Sequence, residues 1–64
     1  MIEEIKKGDK IIVFIENSLN LITVASVNYD TYIIICTDGY EYDYISQYVE
    51  GISIEILKFL GVQQ

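Results

Sequence analysis

The chain is expected to fold as an all-β, five-stranded small barrel with one short helical turn before the last strand. Three observations predict this. First, runs rich in isoleucine, valine and tyrosine recur along the chain, separated by short polar or glycine-containing breaks. Second, two such runs flank Asp38-Gly39, a two-residue hairpin signal. Third, Val27 is out of step with Ile22 and Val24, and a bulge near Ala25-Ser26 would restore the phase and bend the strand, as a small barrel requires.

In chain order, Gly8-Asp9 reads as a turn before a first strand, Ile11 to Ile15. The polar stretch Glu16 to Asn20 reads as a loop, Leu21 to Val27 as the second strand and Asn28 to Thr31 as the next turn. With Asp38 and Gly39 as the whole turn, Thr37, Ile35 and Ile33 face Tyr40, Tyr42 and Tyr44 on the core side. Cys36, Ile34 and Tyr32 face Glu41, Asp43 and Ile45 on the other side. A turn at Tyr29-Asp30 then sets Val24 by Ile35 and Ile22 by Thr37. A register slip of one residue would swap the faces and still leave an apolar set outside. Ser46 to Gly51 reads as one helical turn closed by Gly51. Ile52, Ile54 and Ile56 alternate with Ser53 and Glu55, which favours a final strand. A short helix over 53–60, capped by Ser53 and ended by Gly61, is the alternative. Val62 to Gln64 reads as a frayed tail.

The pieces KGDKIIVF, LITVASV, YIIICTDGYEYDYI, SQYVEG and ISIEIL, taken in this order, resemble an SH3-like small barrel over Lys7 to about Leu57. The chain has neither the tryptophan nor the groove proline of the peptide-binding SH3 domains, nor their long acidic loop between the first two strands. The resemblance therefore implies a fold and not proline-rich ligand recognition.

At 64 residues the chain is expected to be a single domain, 1–64, with a core of marginal size. Cys36 is the one cysteine and there is no histidine, which excludes an internal disulfide and the usual zinc spacings. No cofactor or metal is expected. No apolar run approaches the ~20 residues of a membrane span, the start is charged, and a lone cysteine suits a reducing compartment. A cytoplasmic protein is expected. Ten acidic residues stand against Lys6, Lys7, Lys10 and Lys58, a formal net charge of −6. Direct nucleic-acid binding needs clustered cations and is not expected, whereas a basic partner is.

Catalysis is not expected either. Cys36 lies among isoleucines with no histidine to activate it. Glu41 and Asp43, about 7 Å apart on one strand face, lack the cleft a sugar site needs. The Tyr40-Glu41-Tyr42-Asp43-Tyr44 ladder reads in two ways: tyrosines covering the core edge with acids in water, or rigid rings and carboxylates meeting a partner's lysines and arginines. On the second reading Tyr32, Tyr40, Glu41, Tyr42 and Asp43 make the contacts. The opposite sheet face carries Leu21, Ala25, Val27, Tyr32, Ile34 and Cys36. Such an apolar set outside a barrel points to self-association, a dimer first, through Leu21, Val27, Tyr32, Ile34 and Cys36. The expected function is a small acidic inhibitor or regulator that masks a basic site on a partner protein. In size and charge the chain is similar to small phage-encoded inhibitors of host defence, which would place it in a host cytoplasm. A structural subunit of a larger assembly and an oligomer that binds a small ligand are the alternatives.

Overall fold

The computed structural model describes residues 2–59. A short 3₁₀ turn, Ile2–Glu4, precedes six strands: β1 (Lys10–Ile15), β2 (Ser18–Asn28), β3 (Ile33–Cys36), β4 (Glu41–Asp43), β5 (Tyr48–Val49) and β6 (Ile52–Phe59). Each strand pairs antiparallel with the next, and β6 returns to β1, so the sheet closes into a barrel. The all-β barrel is the expected class, and the last segment is a strand through Phe59 rather than the alternative helix.

Local chemistry sets each connection. Lys6 to Asp9 form a turn in which the Asp9 N–H donates to the Lys6 carbonyl, and Gly8 supplies the positive φ that its third position demands. The expected loop at Glu16 to Asn20 is instead a two-residue turn, so β2 begins at Ser18. Glu16 and Asn17 both hold positive φ, the requirement of a type I′ hairpin. Glu50 and Gly51 do the same between β5 and β6. Gly51 therefore serves a hairpin and does not close a helix.

The bulge stands where the phase shift of Val27 predicts it. The β2–β3 register slips between Val24 and Ser26, and β2 divides there, pairing with β1 before Val24 and with β3 from it onward. Val27 consequently packs against the core.

Two five-residue loops share one design. Asn28 Oδ1 accepts from the N–H groups of Asp30 and Thr31, and Asp43 Oδ1 from those of Ile45 and Ser46. In each, the fifth residue's N–H, of Tyr32 or Gln47, closes a helical turn onto the first residue's carbonyl, and that fifth residue has positive φ. The helical turn expected over Ser46 to Gly51 does not form there: the turn lies earlier, at Asp43 to Gln47, and Tyr48–Val49 is an extra strand. Gln47 also joins this turn to β6: its carbonyl accepts from Ile54 N–H, and its side-chain oxygen from Ile56 N–H at 2.8 Å.

The β3–β4 register corrects the expected one by a residue: Ile33, Ile34 and Ile35 lie opposite Asp43, Tyr42 and Glu41. Gly39 N–H donates to the Cys36 carbonyl and Cys36 N–H to the Tyr40 carbonyl. Only Gly39 of the Asp-Gly pair has positive φ, whereas a type I′ turn needs it at both. The loop is the three-residue type, a type I turn followed by a left-handed glycine. Every side chain of β3 changes face. Ile34 and Cys36 lie in the core, 0% and 2% exposed, while Ile35 stands outside at 36%. Val24 is opposite Cys36, not Ile35.

The core comprises Ile2, Ile5, Ile11, Val13, Val24, Ile34, Cys36, Tyr42, Val49 and Ile54. Ile2 and Ile5 come from the segment before β1. Tyr29, just past β2, donates its hydroxyl to the Ile5 carbonyl, which ties that segment across the end of the barrel where β1 begins and β2 finishes. No buried side-chain polar atom among the described residues lacks a partner.

The observed register predicts a sharp contrast between neighbours. Ile34→Ala should destabilise the fold by about 2–5 kcal/mol, enough to unfold much of so small a domain. Ile35→Ala should cost less than ~1 kcal/mol. Urea titrations of the two variants measure the difference, and the expected two-residue turn would reverse it.

Candidate functional site

One end of the barrel is plugged by Ile2 and Ile5, and the other is open. Its floor is formed by Ile15, Ile22, Tyr42 and Val49, residues on the inward side of their strands. Around the mouth stand Asn20, Leu21, Asp38, Tyr40, Glu50 and Ile52, enclosing about 430 Å³. Barrel mouths of this size are common places for a ligand or an anchoring side chain. The lining is mainly apolar, and among the described residues its only charged side chains are the carboxylates Asp38 and Glu50.

Each rim residue is set by a turn. Asp38 sits in the three-residue hairpin loop. Its Oδ1 accepts from Tyr40 N–H at 3.0 Å, and its Oδ2 accepts the Tyr42 hydroxyl proton. The carboxylate therefore ties the loop to the β4 arm of its own hairpin. Glu50 is the first residue of the β5–β6 turn, beside Ile52. Tyr40 and Leu21 project their rings and methyls at the rim, 48% and 57% exposed.

The expected contact ladder is divided by this arrangement. Tyr40 and Glu41 are at the surface, Tyr40 at the mouth and Glu41 on the outer face of β4. Tyr42 does not reach a partner: it is 1% exposed and fills the floor. Asp43 is half-buried and caps its turn. Tyr32 is half-buried and packs against the core, its N–H and carbonyl used by Asn28 and Tyr44. Of the residues expected at a self-interface, Ile34 and Cys36 are core, Val27 and Tyr32 pack on the core, and Leu21 remains outside. The one-residue change of β3–β4 register moved Ile34 and Cys36, and the β2 bulge moved Val27. Asp38 and Glu50 escaped sequence reasoning as a pair. Each precedes a glycine in a turn, a legible signal, but only closure of the barrel brings the two turns to one end.

Burial and then the charge of Asp38 push the Cys36 thiol from the ordinary 9.0 up to about 12. Tyr42 is pushed up from the ordinary 10.0, first by burial and then by its bond to Asp38. Backbone hydrogen bonding from Ser46, more than any other influence, holds the Asp43 carboxyl below its ordinary 3.8. No group of three or more histidine, cysteine, aspartate or glutamate side chains suited to a metal ion occurs among the described residues. No described helix is long and apolar enough to cross a membrane. Comparisons with protein-family models, with curated proteins and with solved structures found no match for this chain.

Two pH effects follow. Tyr42 and Cys36 hold their protons more tightly folded than unfolded, so unfolding releases protons at alkaline pH. Their contribution is complete below the ordinary 9.0 of the thiol, begins to fall above that value and the ordinary 10.0 of the phenol, and is lost as pH passes the raised folded values, about 12 for the thiol. Denaturant titrations from neutral to alkaline pH should show this fall, and Tyr42→Phe should make it shallower. Cys36 should resist a thiol reagent at pH 8 until the chain unfolds. On the acid side, the depressed Asp43 carboxyl stabilises the fold above its ordinary 3.8 and loses that effect as pH falls. Asp43→Asn should keep the turn, as Asn28 does in the sister loop, while Asp43→Ala should lower the melting temperature.

Proposed function

We propose that the chain is a non-enzymatic protein-binding module with an SH3-like barrel, a small acidic inhibitor or regulator that seats its open mouth on a basic site of a partner protein. One observation carries this reading: an apolar mouth rimmed by exposed Tyr40 and Leu21, whose charged lining among the described residues is the pair Asp38 and Glu50. A partner's arginine or lysine can place its stem on the apolar floor and the Tyr40 ring and its charge at the carboxylates. The excess of acids over the whole chain, a formal net charge of −6, would steer a cationic surface toward it. The SH3-like description is supported by the long bent β2 shared between two ladders and by the return of the last strand to β1. The likeness in size and charge to phage-encoded inhibitors of host defence belongs to the same reading, on which the partner would be met in a host cytoplasm. The volume of the mouth favours one second reading, a small cationic or apolar ligand; a nucleotide's phosphates would meet the rim acids.

A fluorescent peptide alternating arginine and leucine, compared with one alternating glutamate and leucine, tests the proposal. The basic peptide should bind, and its affinity should fall at least about tenfold between roughly 50 and 500 mM salt. Tyr40→Ala and Glu50→Lys should each weaken it comparably, and Glu3→Lys, outside the mouth, should not. Equal binding of both peptides, or indifference to Glu50→Lys, would overturn it. Thermal stabilisation by a small amine with no peptide binding would instead favour the second reading.

A further inference from the structure

The outer face of the β1–β2–β6 ladder is apolar where a barrel in water would be polar. Residues directly opposite in an antiparallel ladder share a face. The register therefore lays three rows across this one: Thr23 and Lys10; then Leu21, Ile12 and Leu57; then Leu19, Phe14 and Glu55. Leu19, Leu21, Leu57 and Phe14 are exposed, and Ile12 is half-buried between its neighbours. Contiguous apolar side chains on three adjacent strands form a patch that monomers seldom expose.

We propose that this face is a two-fold interface with a second copy of the chain. The charge pattern selects both the occupant and the geometry. A two-fold axis along the middle row sets Leu21, Ile12 and Leu57 against the same residues of the second copy. It also turns the Lys10 row onto the row of Phe14 and Glu55. Each Lys10 ammonium then lies over a Phe14 ring of the other copy, one strand away from that copy's Glu55. An axis along β1 would instead set Lys10 on Lys10. Lys10 Nζ already donates to Thr23 Oγ1 at 2.8 Å, which keeps the cation on this face. Strands spaced about 4.8 Å and same-face residues about 6.8 Å apart give a patch below the ~800 Å² per partner of a standard interface. The dimer is accordingly weak and concentration-dependent.

Sedimentation equilibrium from about ten micromolar to one millimolar tests it. Wild type should pass from monomer toward dimer. Leu19→Asp and Leu57→Asp, two substitutions outside the mouth, should be folded monomers by circular dichroism. Lys10→Glu and Glu55→Lys should each weaken the dimer by about tenfold, and the double exchange should restore it. The restoration separates this geometry from any loss of folding. Leu21 stands on both surfaces, so peptide binding is read on dilute, monomeric protein, where these variants leave the mouth lining unsubstituted and the two results stay distinguishable. A wild-type monomer at millimolar concentration, a dimer untouched by Leu19→Asp, or a double exchange no tighter than either single change would overturn the proposal.

Discussion

The Asp38 carboxylate and the hairpin loop it organises are the constraint on which most of this structure rests. By accepting from Tyr40 N–H and from the Tyr42 hydroxyl, Asp38 stabilises a three-residue loop whose one left-handed residue is Gly39. A loop of three rather than two residues advances the β3–β4 pairing by one position. Because side chains alternate along a strand, that one step decides that Ile34, Cys36 and Tyr42 are inside and that Ile35 and Glu41 are outside. The bond to Asp38 also satisfies the phenol oxygen of a tyrosine whose ring is otherwise core, which makes so polar a residue tolerable at the barrel floor.

Around that hairpin, a short chain closes its sheet by economical local means. Two turns of paired positive φ, Glu16-Asn17 and Glu50-Gly51, and two Asx-capped helical turns make most of the connections. Left-handed glutamate, tyrosine and glutamine residues are strained positions that a longer loop would avoid. They are held because closure pairs every strand on both sides and leaves no sheet edge. Without a disulfide, the segment before β1 adds Ile2 and Ile5 to the core and closes one end.

The same closure creates the two surfaces of interest. Plugging one end leaves the other as a mouth, and the acid-bearing turns at Asp38 and Glu50 fall on its rim. Closing β6 onto β1 sets Leu57 beside Ile12 and gives the outer face its third strand. These surfaces differ in chemistry. Among the described residues the mouth presents the carboxylates of Asp38 and Glu50, whereas the outer face carries Lys10 in one row and Glu55 in another.

The sequence by itself determined the all-β class, the turn at Gly8-Asp9, the bulge that returns Val27 to the core and the strand at Ile52. These are written in nearest-neighbour chemistry: β-branched alternation, glycine in turns and a broken phase within one strand. The tertiary structure alone decided the face on which each apolar set lies. Asp-Gly is compatible with a two- or a three-residue loop, and the sequence of β3, isoleucine at three successive positions and then cysteine, offers an apolar side chain to either face. The choice was made by the local bond of Tyr42 to Asp38 together with long-range burial, in which the bent β2 brings Val24 opposite Cys36. For the same reason, the expected self-interface of Ile34 and Cys36 became core, and the apolar outer face arose on β1, β2 and β6. The β1–β2 hairpin sets Leu19 beside Phe14, but no local signal adds Leu57 to their surface; β6 must return to β1 first.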